Sequence, residues 1–368
     1  MLRLRGAKRS QIIKIPIAGW RKPKCFRQPA IVTDMRSRLL VLLTVLFSLV
    51  LSGCHPAGKE QLAFICSNEE SICKNWRDAY AAATGKNVSY LRLPTAQALT
   101  RISSSPKTRE FDVWVGGPAE NYVLAKRRGL LSAYQPAGIS DIPEAMRDSE
   151  GYWFGVYGSL LGFCSDQAAL SARGLPVPRS WAELANPQYR TLVAASSPLT
   201  SGTAFTVVRV LDEIYADQAS TAIRNVYDNV PRLTNSGTAP VKTVLAGEAA
   251  IAITFTPYCA GKSEATKPLT ISYPQEGTSY EIGSAALLKN AGRVGEAKRF
   301  LDWLSQKAGQ GVAVKSATPQ LAITRSIPGS LASRLEQDDP YILPARPQKS
   351  AADRDRWLTW FARQEWRR

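Results

Sequence analysis

Apolar and polar positions alternate in a regular order from Gln61 onward. "QLAFIC" is a short apolar run that predicts a strand; "CKNWRDAYAAATGK" follows as an amphipathic helix closed by Gly85, and "NVSYLRL" predicts the next strand. The order then repeats, with "AQALTRISSS" as helix, "FDVWVGG" as strand and "AENYVLAKRRGLL" as helix. Such alternation predicts an α/β fold with a largely parallel sheet. At "GYWFGVYGSLLGFCSD" a long stretch without helical period begins, suited to a chain crossing from one lobe to another. Beyond it, "RSWAELANPQYR" opens with Ser180 and Glu183 at capping-box spacing. Strand "TLVAAS", a helix from about Gly202 to Tyr215, a second around Ser220 to Asn229, a helix at "APVKTVLAGE" and strand "AAIAITF" come next. "PLTISYP", "GSAALLKN" and "VGEAKRFLDWLSQKAG" continue the alternation.

Residues 1–53 follow another pattern. The apolar run Leu39–Leu51 is 13 residues long, too short for the roughly 20 that span a bilayer. Arg36 and Arg38 precede it and Ser52-Gly53 follow, the basic, apolar, small order of a secretory signal. Leu51-Ser52-Gly53-Cys54 also resembles the bacterial lipobox, which implies diacylation of Cys54 and removal of everything before it. Residues 1–34 fit an ordinary signal poorly, so the expectation is either a start at Met35 or an unusually long basic n-region.

This division changes the charge. The formal net charge is +17, but residues 1–53 hold 11 Lys/Arg against one Asp, leaving 36 basic and 29 acidic side chains, or +7, on residues 54–368. That excess suits attraction to anions without implying a nucleic-acid partner. The remaining length suits two lobes of roughly 100–200 residues each.

Four cysteines stay in the exported part, and an even number there favours disulfides over metal. "CSNEESIC" makes Cys66 and Cys73 a local pair, worth about 2–3 kcal/mol in the chain-entropy model. Cys164 and Cys259 remain, as a second bridge or as buried thiols.

The only histidine is His55, beside the expected lipid anchor, which removes Ser-His-Asp triads, Cys-His dyads and HExxH zinc sites from the mature fold. Gly261-Lys262-Ser263 imitates the end of a phosphate-binding loop, yet Thr256 stands where its leading glycine is required. No CxxC or GxGxxG occurs, and neither an enzyme nor a cofactor is expected.

What the chain offers is a recurrent tripeptide. Ser201-Gly202-Thr203 follows a strand and opens a helix; Ser236-Gly237-Thr238 opens another, with Pro240 suited to its first turn. A helix N-terminus exposes unpaired N–H groups at a positive dipole end, so each is a potential oxyanion cradle as well as an ordinary cap. Gly116-Gly117 and Gly277-Thr278-Ser279 add to a set of loops expected to converge on a polar ligand.

"CSNEESICKNWRDAYAAATG", "FDVWVGGPAENYVLAKRRGLL", "YWFGVYGSLLGF", "SWAELANPQYRTLVAASSPLTSGTAF", "NSGTAPVKTVLAGEAAIAITF" and "PQEGTSYEIGSAALLKNA", in that order, resemble the extracellular solute-binding proteins of ABC importers, in the branch of ferric-ion, phosphonate and sugar-phosphate binders. The resemblance covers roughly Leu62 to Trp366 and implies a bilobal type II periplasmic-binding-protein fold, two α/β lobes joined by crossing strands. It implies lobe one as 62–158 plus about 260–320, lobe two as 159–259 plus about 321–368, and a 54–61 linker.

It also implies the ligand set: Ser67 and Asn68 after the first strand, Gly117, then Ser201, Gly202 and Thr203, Ser236 and Thr238, and Glu276 with Thr278. Glu276 would accept from a ligand hydroxyl or amine. Ferric binders carry adjacent tyrosines and sugar-phosphate binders a His-Asp pair where this chain reads "TFTPYCAGK", with the lone Tyr258. An oxyanion-bearing solute (phosphonate, phosphate ester or carboxylate) is therefore the first expectation, with ferric ion as the alternative. Partners implied are an ABC permease and its ATPase, with a monomer anchored in the membrane by Cys54, or a two-component sensor kinase if closure serves signalling. His55 after the lipidated cysteine resembles an outer-membrane sorting signal.

Overall fold

In the computed structural model, residues 61–104, 110–260, 268–335 and 341–364 are described. Cys54 and His55 lie outside them. The strands are β1 (Leu62–Cys66), β2 (Val88–Arg92), β3 (Val113–Pro118), β4 (Leu131–Ser132), β5 (Phe154–Ser165), β6 (Val193–Ala194), β7 (Ile251–Phe255), β8 (Thr270–Ser272), β9 (Thr278–Leu288), β10 (Leu321–Ala322) and β11 (Ile342–Leu343). The helices that matter here are α1 (Glu70–Thr84), α2 (Thr95–Ser104), α3 (Ala119–Arg127), α4 (Gly202–Tyr215), α5 (Ala219–Tyr227), α6 (Ala239–Leu245), α7 (Pro257–Ala260), α8 (Val294–Ser305) and α9 (Pro347–Ala362).

Ile72, Cys73, Trp76 and Tyr80 bury one face of α1, and its C-cap Gly85 sits at φ 67°, donating its N–H to the Ala81 carbonyl. Glycine tolerates this left-handed turn at no steric cost, so the helix stops there. α4 starts where Ser201 accepts from the Ala204 N–H, and the Gly202–Tyr215 bounds match those read from the sequence.

The sheet runs β2-β1-β3-β9-β5-β7-β6, with short strands added to β5 and β9. It is mixed, which corrects the expectation of a largely parallel sheet. β2, β1 and β3 are parallel, as are β6 and β7, but β9 pairs antiparallel with both β3 and β5, and β5 pairs antiparallel with β7. The two long strands cross between the lobes, so each runs against its neighbours. Every residue of β5 and β9 is buried, which removes the alternation that marks a half-exposed strand.

Two main cores follow. One gathers β1, β3, α1 and α8 around Trp76, Trp114 and Phe300; the other gathers α4, α5 and β7 around Trp181, Phe205 and Tyr227. The sequence pattern missed α9 as a helix. Its Ala351 packs in the first core and its Trp357 and Phe361 in the second, so it straps the two together. Tertiary burial of Pro347, Ser350, Ala351, Arg354, Trp357 and Phe361 supplies the helical stripe, although half of those positions are small or charged. Among the described residues no helix is long and apolar enough to cross a membrane.

Both disulfides form, Cys66 to Cys73 and Cys164 to Cys259, with Cα separations of 5.9 and 6.2 Å.

Gly283 on β9 faces the ring of Tyr157 on β5, and a Cβ there would overlap three ring carbons. Gly283→Ala is expected to destabilise by about 1–3 kcal/mol through overpacking, read as a lower urea midpoint at unchanged slope.

Candidate functional site

Because β1, β2 and β3 run parallel, the loops that leave their carboxyl ends share one edge of the first lobe. In open α/β sheets such edges are where ligands bind. That edge presents Ser67 and Asn68 after β1, Arg92 at the end of β2 with Pro94 and Thr95 behind it, and the Gly116-Gly117 turn of β3. The two glycines sit at φ 92° and 81°. A Cβ on Gly116 would come within 3.0 Å of the Ser67 backbone and one on Gly117 within 2.6 Å of Thr95 Oγ1, so both keep the turn folded tightly onto its neighbours.

Facing this edge, the second lobe brings the start of α4 with Ser201 and Thr203, the start of α6 with Ser236, Gly237 and Thr238, and Tyr258 on α7. These residues and Glu281 on β9 line one cavity of about 30 Å³. The two Ser-Gly-Thr tripeptides pack directly on each other, since a Cβ on Gly237 would collide with the Thr203 side chain and lie 3.2 Å from Ser201 Oγ. Larger, open depressions of about 640 and 330 Å³ lie elsewhere, around Leu93, Gln97 and Leu199 and around Trp181, Asn186 and Asn225. Neither holds a buried ionisable group beside a long helix N-terminus.

The donors are of several kinds. Gly202 and Thr203 provide the first N–H groups of α4, which have no partner inside the helix. Ser201 caps that helix and accepts from Ser196 Oγ at 3.1 Å. Arg92 donates Nε to the Asn68 carbonyl at 3.0 Å, which fixes its guanidinium at the cavity wall. Asn68 is held by protein: Nδ2 donates to Gln320 Oε1 at 2.8 Å, while Oδ1 accepts from the Glu69 N–H at 2.7 Å and from Gln320 Nε2 at 3.3 Å. Tyr258 donates to the same Oδ1 at 3.5 Å, reaching across from the other lobe.

Two more contacts cross here, from the Ala96 N–H to the Thr200 carbonyl at 3.4 Å and from Lys242 Nζ to Glu69 Oε1 at 3.7 Å.

Glu281 is the unusual member. It is 3% exposed, and its Oε1 has no hydrogen-bond partner among the described residues. Burial, first, and the nearby Glu120 carboxyl hold it well above the ordinary carboxylate range, partly offset by Ser159, which faces it on β5. Burial and Glu281 in turn push the Tyr157 and Tyr258 phenols well above their usual value. Each is therefore shifted toward its proton-bearing form, which can donate.

A measurable consequence follows from linkage. Above about pH 4.5 an unfolded Glu281 releases a proton that the folded one retains, so stability falls with rising pH up to the folded value. The slope is about 1.4 kcal/mol per pH unit. Glu281→Gln does not titrate, and urea denaturation should find it gaining on wild type as pH rises above about 4.5.

The cavity thus brings together Ser67, Asn68, Ser201, Thr203, Ser236, Thr238 and Tyr258 from the sequence-based set. Gly117 and Gly202 stand just behind it, Gly117 donating its N–H to Tyr157 Oη at 3.0 Å and Gly202 pressed on Pro118. Glu276 and Thr278 lie elsewhere. The Glu276 carboxylate accepts from the Trp181 and Ala182 N–H groups at 3.0 Å each and from Tyr215 Oη at 3.2 Å, capping the one-turn helix Trp181–Leu184. Thr278 is buried and donates to the Leu161 carbonyl at 2.6 Å.

Arg92, Thr95 and Glu281 went unread in the sequence, though two signals were present. Arg92 ends a strand whose carboxyl edge carries the other loops, and Glu281 is a lone carboxylate inside an otherwise apolar run, "YEIGSAALL".

A family model described as bacterial extracellular solute-binding protein matches residues 120–338, more than half of the chain. A protein of Haemophilus influenzae (strain ATCC 51907 / DSM 11121 / KW20 / Rd), described as uncharacterized, is 27% identical over 296 residues, covering 78% of this chain and 86% of its own. The periplasmic binding protein AfuA from Actinobacillus pleuropneumoniae, solved with exogenous fructose-6-phosphate bound, is 25% identical at a TM-score of 0.74, over 82% of this chain and 97% of its own. The ferric binding protein from Campylobacter jejuni shares the fold at a TM-score of 0.68 and 16% identity, over 82% and 98%. With its crossing strands and two α/β lobes, the chain belongs to the bacterial extracellular solute-binding proteins, the binding components of ABC importers, on the type II periplasmic-binding-protein fold.

Proposed function

We propose that the protein captures a small organic oxyanion (phosphate ester, phosphonate or carboxylate) between its lobes and delivers it to an ABC permease. The observation that carries this reading is the convergence on one cavity of the Arg92 guanidinium, the α4 N-terminus and the hydroxyls of Ser67, Ser201, Thr203, Ser236 and Thr238. Each is a hydrogen-bond donor, and charge-assisted bonds to an oxyanion are about twice as strong as neutral ones. Glu281, Tyr258 and Asn68 lie beside the donors and suit the hydroxyl or amine of an organic solute. The likeness to a protein solved with fructose-6-phosphate favours a phosphate ester among the three.

The cavity retains only about 30 Å³, so solute entry requires the lobes to part about β5 and β9. In this reading 62–158 forms the body of the first lobe and 159–259 that of the second; the expected completions by about 260–320 and about 321–368 are corrected by β8 pairing with the second-lobe end of β5 and by Ile323 and Leu331 packing in the first core. A signal peptide, a lipid on Cys54 and a monomeric state in the periplasm or at the cell surface belong to the same proposal.

A thermal-shift panel of fructose 6-phosphate, 2-aminoethylphosphonate, citrate, ferric citrate, spermidine and thiamin tests it. A ligand at 100 times its Kd stabilises by about 2.7 kcal/mol. Stabilisation by a phosphorus or carboxylate anion supports the reading, and a response confined to iron or cations sinks it.

A further inference from the structure

The two disulfides occupy specific places relative to the cleft. Cys66 is the last residue of β1 and Cys73 lies in the first turn of α1, both fully buried, so their bond closes a ring around the loop that carries Asn68. Cys164 lies in the middle of the sheet on β5, and Cys259 on α7 directly follows Tyr258. α7 is a helix of only four residues, too short to hold a side chain by its own hydrogen bonds. Asn68 and Tyr258 then meet across the cleft, Oη to Oδ1 at 3.5 Å. Each bridge thus sits next to one partner of the same contact between the lobes.

We infer that the disulfides are positioning devices for the solute site: Cys66–Cys73 holds the Asn68 loop and Cys164–Cys259 holds Tyr258, so that the cleft closes with its recognition groups already in place. A cross-link acting only on the unfolded chain stabilises the molecule as a whole. One placed beside a binding loop also removes local openings of that loop, whose ordering would otherwise oppose solute binding. Asn68 is additionally gripped by Gln320, so loosening its loop also disturbs that amide pair. Tyr258 also bonds to Gln320 and packs on Phe255, so the two recognition groups share that amide. The inference rests on the proposed solute site.

The test compares wild type with Cys66→Ala/Cys73→Ala and Cys164→Ala/Cys259→Ala by hydrogen exchange and by titration with fructose 6-phosphate. Removing the first bridge should speed exchange about tenfold or more at residues 67–70, and removing the second should do so at 256–259, through local openings that barely depend on urea, while β3 and β9 follow each variant's urea-dependent global stability. The Kd for fructose 6-phosphate should rise about tenfold or more in both variants. Exchange at 67–70 and 256–259 that follows the same urea-dependent global unfolding as β3 and β9, or that is unchanged there, would overturn the inference.

If wild type itself ignores fructose 6-phosphate, the phosphate-ester reading fails and the exchange pattern alone judges the disulfides. If a variant does not fold, exchange in the intact protein decides: those two segments should be as slow as the strands beside them, and loop-like exchange there would refute the idea.

Discussion

Arg92→Ala is expected to weaken binding of the organic oxyanion by about 1.5–3 kcal/mol, the range for a hydrogen bond to a charged group, or roughly 10- to 150-fold in Kd. The size follows from position. Arg92 ends β2 half-buried at the cavity wall, its Nε bonded to the Asn68 carbonyl, so its orientation is set before solute arrives. Its remaining guanidinium N–H groups are then available to an oxyanion without a further ordering cost. Arg92→Lys keeps the charge but loses the planar fork, and should recover only part of the loss. Titration calorimetry of the three proteins checks this, with the urea midpoint as a control on folding. An unchanged affinity in Arg92→Ala would remove the guanidinium from the site.

The second large effect concerns stability. Cys164→Ala/Cys259→Ala opens a loop whose ends are 95 residues apart in sequence, for which the chain-entropy model gives about 4.7 kcal/mol. Cys66→Ala/Cys73→Ala opens one with ends 7 apart, worth about 2.5 kcal/mol by the same relation. The long loop contains β6, α4, α5 and β7, most of the second core, so its loss frees the conformations of half a lobe in the unfolded state. Urea denaturation should show the larger fall for the long loop. A larger fall for the short one would mean that native packing around α1, and not loop closure, sets the scale.

Much of the architecture was readable because α1, α4 and β7 carry strong local signals. Gly85 stops α1, Ser201 caps α4, and five apolar residues in a row mark β7. Strand direction was not readable. Nothing in "YWFGVYGSLLGF" or "GTSYEIGSAALL" distinguishes parallel from antiparallel pairing, which is decided by where the crossing strands meet their partners. The helix α9 was hidden for a related reason, because its buried face includes Ser350 and Arg354 and is apolar only in part.

At the site, the Ser-Gly-Thr repeats announced themselves as small-residue helix starts, and the structure brings them together. Glu276 was placed in the ligand set by the family resemblance; the neighbour it serves, the N-terminus at Trp181, is 95 positions away in the chain. Glu281 was overlooked because burial of a carboxyl whose Oε1 lacks a partner among the described residues is visible only in three dimensions.

The central claim is that this cleft takes an organic oxyanion. Its most direct test is native mass spectrometry of the protein isolated from its own cells without denaturation, with fragmentation of whatever leaves the cleft. The account predicts a small organic molecule that yields phosphate, phosphonate or carboxylate fragments and is lost from Arg92→Ala. Iron, or an organic cation such as thiamin or a polyamine, released from the cleft in its place would contradict it.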